Sequence, residues 1–218
     1  MSRKVYLPAL ILLGFSLFAD AQINNGSVLL GGQISNNTSI SKTGGQKDQQ
    51  YNAAVYNISV GKAIKENSVV GINLSYSPST THYYDANGSG SIGKSKIRGY
   101  SAGVYYRLYK NLGKDFYFFG EFGATYTGGK STAYDFQGNE LNSSSTSGGR
   151  LSLTPGLSYK LLNKFHLEIM IPDLVSIQYA LTKPKPSLSA DKLEYFSFNS
   201  SLNSNGLNAL GVGFRIVL

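Results

Sequence analysis

The chain closes on "LGVGFRIVL", where large apolar residues (Leu210, Val212, Phe214, Ile216, Leu218) alternate to the last position with Gly211, Gly213, Arg215 and Val217. Successive side chains of an extended strand point to opposite faces, so the apolar set shares one face. The same period of two recurs along the chain. The segments lie at approximately 27–35, 51–61, 69–78, 97–109, 116–127, 149–161, 165–179 and 207–218. Most are long enough for a tilted strand to cross a bilayer, which takes about 9–11 residues. No apolar run beyond the N-terminal segment approaches the roughly 20 residues of a membrane helix.

Side-chain volume decides which face looks inward. One parity collects Tyr56, Ile58, Val60, Ile72, Leu74, Tyr100, Val104, Phe122, Leu151, Leu153, Leu157 and Ile169. The other holds Asn57, Ser59, Gly71, Asn73, Ser75, Gly103, Gly123, Thr125, Ser152 and Thr154. An eight-stranded barrel has an interior just wide enough for side chains to fill it. The bulky set does not fit there, so it faces out, and only hydrocarbon makes that tolerable. The expected fold is all-β, an eight-stranded antiparallel up-and-down transmembrane β-barrel. Aromatics agree with this: Tyr106, Tyr109, Phe116, Tyr159 and Phe165 gather by the short connections, and Tyr76, Tyr83, Tyr84, Tyr126 and Tyr134 by the long ones. Rings with polar tips suit the two membrane interfaces.

Connection length alternates between short "KAIKENS", "KNLGKD" and "LNK" and long stretches such as "NNTSISKTGGQKDQQ" and "GGKSTAYDFQGNELNSSSTSG". Short periplasmic turns opposite long outer loops is the pattern of outer-membrane barrels. An even strand count then puts both termini in the periplasm. The long stretches are rich in Ser, Asn, Gly and Thr, and they carry no motif that names a loop partner.

The N-terminus "MSRKVYLPALILLGFSLFADA" has a basic start, an apolar run and an Ala-x-Ala end, and so reads as a signal peptide over 1–21. The barrel domain is then 22–218. The absence of cysteine removes disulfides, thiolate metal sites and a lipid-anchoring thiol. The net charge of +8 would suit nucleic acid or an anionic membrane, and export to the cell envelope argues against nucleic acid.

With these patterns the chain resembles the small outer-membrane β-barrel proteins of the OmpA/OmpX-like, often porin-like, type found in Gram-negative envelopes. The resemblance lies in pattern across 22–218 and is sharpest at the last strand. There the family's signal for the barrel-assembly machinery has a glycine five positions before a terminal aromatic and a hydrophobic residue two before the end. Gly213 and Ile216 match, Phe214 lies between them, and Leu218 is aliphatic where the family ends on an aromatic ring. The resemblance implies a cell outer membrane location, with the assembly machinery as a transient partner.

Charges on the inward parity form the main candidate constellation. Arg107 and Glu121 flank "KNLGKD" at similar offsets, so they fall opposite or one diagonal apart. Lys160 and Glu168 stand likewise around "LNK", and Arg215 projects into the same lumen. A lone buried charge costs several kcal/mol, so these groups are expected to pair and plug the barrel; the rival reading is a selectivity ring in a narrow diffusion pore. A plugged barrel would serve adhesion, envelope integrity or ligand contact through its loops. His166 beside Glu168, with serines on nearby strands, permits an outer-membrane lipid hydrolase, although no nucleophile elbow marks a serine. A soluble lipocalin-like barrel would follow if the faces were inverted. No catalytic, cofactor or metal motif is expected, since His82 has only Asp85 nearby. Lys42, Lys47, Lys94, Lys96, Arg98, Lys130, Lys183, Lys185 and Lys192, in or beside the long stretches, either meet lipopolysaccharide phosphates or form a solvated loop surface. Pro172-Asp173 interrupts the seventh segment and puts Asp173 on the lipid-facing parity, at a bulge or the membrane rim.

Overall fold

The computed structural model describes residues 23–85, 91–185, 192–201 and 210–218. The expected signal peptide lies outside them. Among the described residues ten strand segments occur in chain order: β1 (Val28–Thr43), β2 (Gln46–Lys65), β3 (Ser68–Tyr84), β4 (Ser91–Gly113), β5 (Phe116–Asp135), β6 (Glu140–Leu162), β7 (Phe165–Met170), β8 (Val175–Lys185), β9 (Leu193–Ser200) and β10 (Gly211–Val217). Each described neighbour pair is antiparallel, and the sheet closes on itself through β5–β6 and β1–β10. The lower part of β6 pairs with β7, from Gly156 opposite Met170 downward, and its upper part with β8, from Leu153 opposite Val175 upward. β7 and β8 are therefore one stave broken at 171–174. β10 pairs with β7 and β9 with β8, which makes β10 and β9 the eighth stave. The architecture is an eight-stranded antiparallel ring.

Several strands run well past the expected ends. "NNTSISKTGGQKDQQ", expected as a long loop, is mostly paired strand that turns at Gly44 and Gly45, with φ of +61° and +84°. The chain likewise turns back tightly at Gly138, between β5 and β6, and β9 forms within another stretch expected as loop. The physical reason is that beyond a bilayer both faces of a strand are wet. Ser, Thr and Asn then satisfy either face, and the apolar alternation that reveals a strand disappears while the backbone ladder continues.

The outer surface is a belt of apolar side chains, among them Ile58, Val104 and Ile169, each more than half exposed. On β5 the belt runs from Phe116 to Tyr126. Ten residues at about 3.4 Å each, tilted by about 40°, cover about 26 Å along the barrel axis, close to the about 25 Å apolar band of outer-membrane barrels.

The interior at the short-turn end is not small and polar throughout. Leu29, Val69, Tyr105, Tyr117, Phe119 and Met170 are buried there. Tyr109 is also inside and only 7% exposed, which corrects its expected place in the outer aromatic ring. Room for this packing comes from glycine. A Cβ at Gly71 would run into the Tyr105 ring, and one at Gly156 into the Phe119 ring. Interiors packed to native density have no slack for such an atom.

Candidate functional site: a charged floor beneath a polar cup

Four inward side chains from four strands meet above the aromatic layer. Arg107 on β4 stands directly opposite Glu121 on β5, and Arg215 on β10 opposite His166 on β7, two residues from Glu168. Arg107 donates from Nε to Glu121 Oε2 at 2.7 Å, and from Nη1 to Glu168 Oε1 and Oε2 at 2.8 and 2.9 Å. Arg215 donates from Nε to Glu168 Oε1 at 3.0 Å and from Nη2 to Oε2 at 3.4 Å. Tyr109 adds its hydroxyl to Glu168 Oε1 at 3.4 Å, and the Phe119 ring centroid lies 4.1 Å from the Arg107 guanidinium carbon. Gly31 leaves space on the first strand, since a Cβ there would sit 3.0 Å from the Arg215 guanidinium carbon.

Two guanidinium and two carboxylate groups give a net charge of zero, with Arg107 and Glu168 spanning the lumen. Arg107 is 3% and Glu168 1% exposed. A cluster so far from water is tolerable because each charge faces an opposite one with good hydrogen-bond geometry. The free volume around it is about 10 Å³. That is close to the space one water occupies, about 10–15 Å³.

Lys160 does not join the cluster. It lies across from His166, beside a register shift that falls between Lys160 and Leu162, and both oxygens of Glu168 are taken by arginines. The expected Lys160–Glu168 pairing is corrected accordingly. His166 Nδ1 lies 3.3 Å from Ser158 Oγ, a contact of the kind a serine hydrolase uses. Yet Ser158 is 0% exposed and Glu168 is fully engaged, so neither a reachable nucleophile nor an orienting carboxylate is present in this trio.

Above the floor the lumen opens into a cup of about 430 Å³, lined by Asn57, Asn73, Ser75, Thr125, Ser152 and Gln178, among others. Glu121 forms part of its base. On its wall Arg150 Nη1 donates to Asp173 Oδ2 at 2.8 Å, and Nη2 to Gln178 Oε1 at 3.3 Å. Asp173 thus faces the lumen, contrary to the outward parity expected for it. The break at 171–174, with φ of +49° at Asp173, resets the alternation, and the Thr154 hydroxyl accepts from the Asp173 backbone N–H at 3.0 Å. Arg150 is absent from the constellation expected from sequence, although its parity with Ser152 and Thr154 marks it as inward. Asn73 Oδ1 and Arg150 Nε are buried without a partner among the described residues.

At the last strand Gly213 lies between Gln33 and Glu168. Phe214 stacks on Phe165 with centroids 6.0 Å apart. Ile216 pairs with Leu30, and the Leu218 backbone exchanges hydrogen bonds with Val28 at 2.8 and 3.0 Å.

No curated protein sequence matches the chain. Among solved structures it is similar to OprG of Pseudomonas aeruginosa, at 14% identity, a TM-score of 0.46 and coverage of 91% of this chain and 99% of that one. It is also similar to outer membrane protein W of E. coli, at 12% identity, a TM-score of 0.41 and coverage of 88% and 99%. Against the translocator domain of the autotransporter NalP of Neisseria meningitidis the identity is 14% and the TM-score 0.40; 87% of this chain is covered, and it spans 63% of that domain's length. A sequence-family match runs over residues 7–215, and with it the chain belongs to the outer membrane protein beta-barrel domain family.

Proposed function

We propose that this outer-membrane barrel is a closed, non-enzymatic receptacle rather than a channel. Both termini lie on the periplasmic side, and the long-loop end opens its polar cup to the outside for contact with a small hydrophilic ligand. One observation carries the reading: about 430 Å³ of polar cavity stands directly on a charged layer with about 10 Å³ to spare. Small-ligand cavities typically measure about 300–1,000 Å³. The lining supports a hydroxyl-rich or zwitterionic ligand, since amide and hydroxyl side chains are its most numerous polar groups and Arg150, Asp173 and Glu121 add charges of both signs.

The test is single-channel recording in planar bilayers on refolded protein whose barrel is first verified by a mobility shift between unheated and boiled samples on cold SDS gels. The expected result is silence from verified barrels. Steady conductance steps would overturn the reading in favour of a narrow diffusion pore.

A further inference from the structure

In the first rows past the tyrosine belt at the long-loop end, five basic residues share one sector, while Lys42 and Lys47 face each other farther out on β1 and β2. Lys94, Lys96 and Arg98 share the outward parity of Tyr100 and Val104 on β4. Lys130 shares that of Phe122 and Tyr126 on β5, and Lys183 that of Ile177 and Tyr179 on β8. Strand register aligns them further. Arg98 is directly opposite Lys130, Lys130 opposite Ser145, and Ser145 opposite Lys183, which makes one row across four neighbouring strands. One step farther from the belt Lys96 faces Thr132, and beyond it Lys94 lies between His82 and Tyr134.

The height of these rows is set by the belt. Arg98 is two residues past Tyr100, and Lys130 and Lys183 are four past Tyr126 and Tyr179. Each two-residue step adds about 5 Å along the axis of a tilted strand. The cations therefore stand about 5–15 Å past the edge of the hydrocarbon, at the depth of lipid headgroups.

A merely solvated loop surface would not sort its charges in this way. At the same height the inward positions of β4 and β5 are Ser95, Ile97, Gly99, Gly129, Ser131 and Ala133. On the far side of the ring the matching outward positions are Asn36 and Thr38 on β1 and Ala54 and Asn52 on β2, while on β9 Glu194 lies opposite Leu181, one step nearer the belt than Lys183. Among the described residues none of the five cations meets a carboxylate; Lys94 and Lys96 instead hold their ammonium groups 5.4 and 5.8 Å from the Tyr134 ring centroid. Like charges directly opposite on neighbouring strands repel. A phosphate between Arg98 and Lys130 would remove that repulsion and form charge-assisted hydrogen bonds with both.

We infer that the outer face of β4, β5 and β8 is a seat for the phosphates of an outer-leaflet glycolipid, lipopolysaccharide. The acyl chains would run down the belt beside Tyr126, Leu151, Ile177 and Tyr179, which border an open apolar groove on that same sector. The inference rests on the proposed orientation, with the long-loop end outside.

The test is native mass spectrometry of the full barrel in detergent with bisphosphorylated lipid A or its dephosphorylated form. Wild type is compared with Arg98→Gln/Lys130→Gln and with Asn36→Gln/Asn52→Gln on the opposite sector, each first shown to be a heat-modifiable barrel. The expected result is that wild type and the opposite-sector variant retain the phosphorylated lipid about tenfold better than the dephosphorylated one, and that the Arg98/Lys130 variant loses this preference. Equal retention of the two lipids, or a preference that survives the Arg98/Lys130 change, overturns the inference. Displacement of lipid A by equimolar inorganic phosphate overturns the lipid assignment in favour of a free anion. The orientation is read separately, with Ser41→Cys and a membrane-impermeant thiol reagent: labelling only in broken cells would sink the orientation while leaving the lipid measurement to stand or fall by itself.

Discussion

The two halves of the barrel solve the problem of a lumen in opposite ways. At the short-turn end Tyr105, Tyr117 and Phe119 fill the space against Gly71 and Gly156, and a neutral Arg/Glu cluster caps them. At the long-loop end the same strands enclose a polar cup, with its own ion pair, Arg150–Asp173, about one-third exposed on both sides. Closure also differs. β1 is paired on both sides from Leu29 to Ile34, whereas from Ser35 to Thr43 its partners among the described residues lie on β2 alone. Among the described residues the packed side-chain core lies in the lower half, while the strands of the upper half pair through backbone ladders and carry polar side chains on both faces.

The largest expected effect comes from Glu168→Ala, which leaves Arg107 and Arg215 sharing a buried layer with one remaining carboxylate. A loss of about 3–5 kcal/mol is expected, read as a fall in the urea midpoint of the heat-modifiable form. Glu168→Ala with Arg215→Met restores neutrality through Arg107–Glu121 and should recover part of that loss; a double variant less stable than the single one would contradict the charge argument. Next in size is a pair of identical substitutions on β6. Gly156→Ala puts a Cβ into the Phe119 ring and should cost about 1–3 kcal/mol. Gly149→Ala meets nothing within 4 Å and should stay within about 0.5 kcal/mol. Equal effects at the two positions would mean that the close packing of Phe119 against Gly156 is not the source of the cost.

The smallest effect belongs to the turn between β5 and β6, at the far end of the upper half. There Asn139 donates to Asp135 from its side-chain amide at 3.0 Å and from its backbone N–H at 2.8 Å, and these bonds hold the Asp135 carboxyl below the ordinary aspartate range. Because the folded value is depressed, the contact stabilises the turn above the pH at which an unfolded aspartate titrates, and it is lost as pH falls through the folded value. Carbon NMR titration of Asp135 should show its midpoint rising in Asn139→Ala, and an unmoved midpoint would remove the Asn139 side chain as the cause.

What can be read from the sequence depends on how far apart the partners lie along the chain. Arg107 and Glu121 are readable because a short turn fixes their offset, and the structure sets them directly opposite. The Arg107–Glu168 contact, 61 residues apart, crosses the lumen and depends on the stagger of the whole ring, which no local pattern encodes. Lys160 escapes the same logic because Glu168 is claimed from across the lumen by Arg107 and from the neighbouring strand by Arg215. Tyr117 and Phe119 are hidden because "FYFF" places aromatics on both parities and so carries no facing information. The outer parts of the strands are hidden for a different reason, since water on both sides leaves no alternation to read.

The charged floor also bears on how such a ring reaches the membrane. Arg107 and Glu121 belong to adjacent strands, and so do Glu168 and Arg215. Each neighbouring pair of strands therefore brings one positive and one negative group, already in contact, before the other pair arrives. Neither half of an unfinished ring has to take an uncompensated charge into hydrocarbon, and the final cross-lumen bonds join two units that are each already electrically silent.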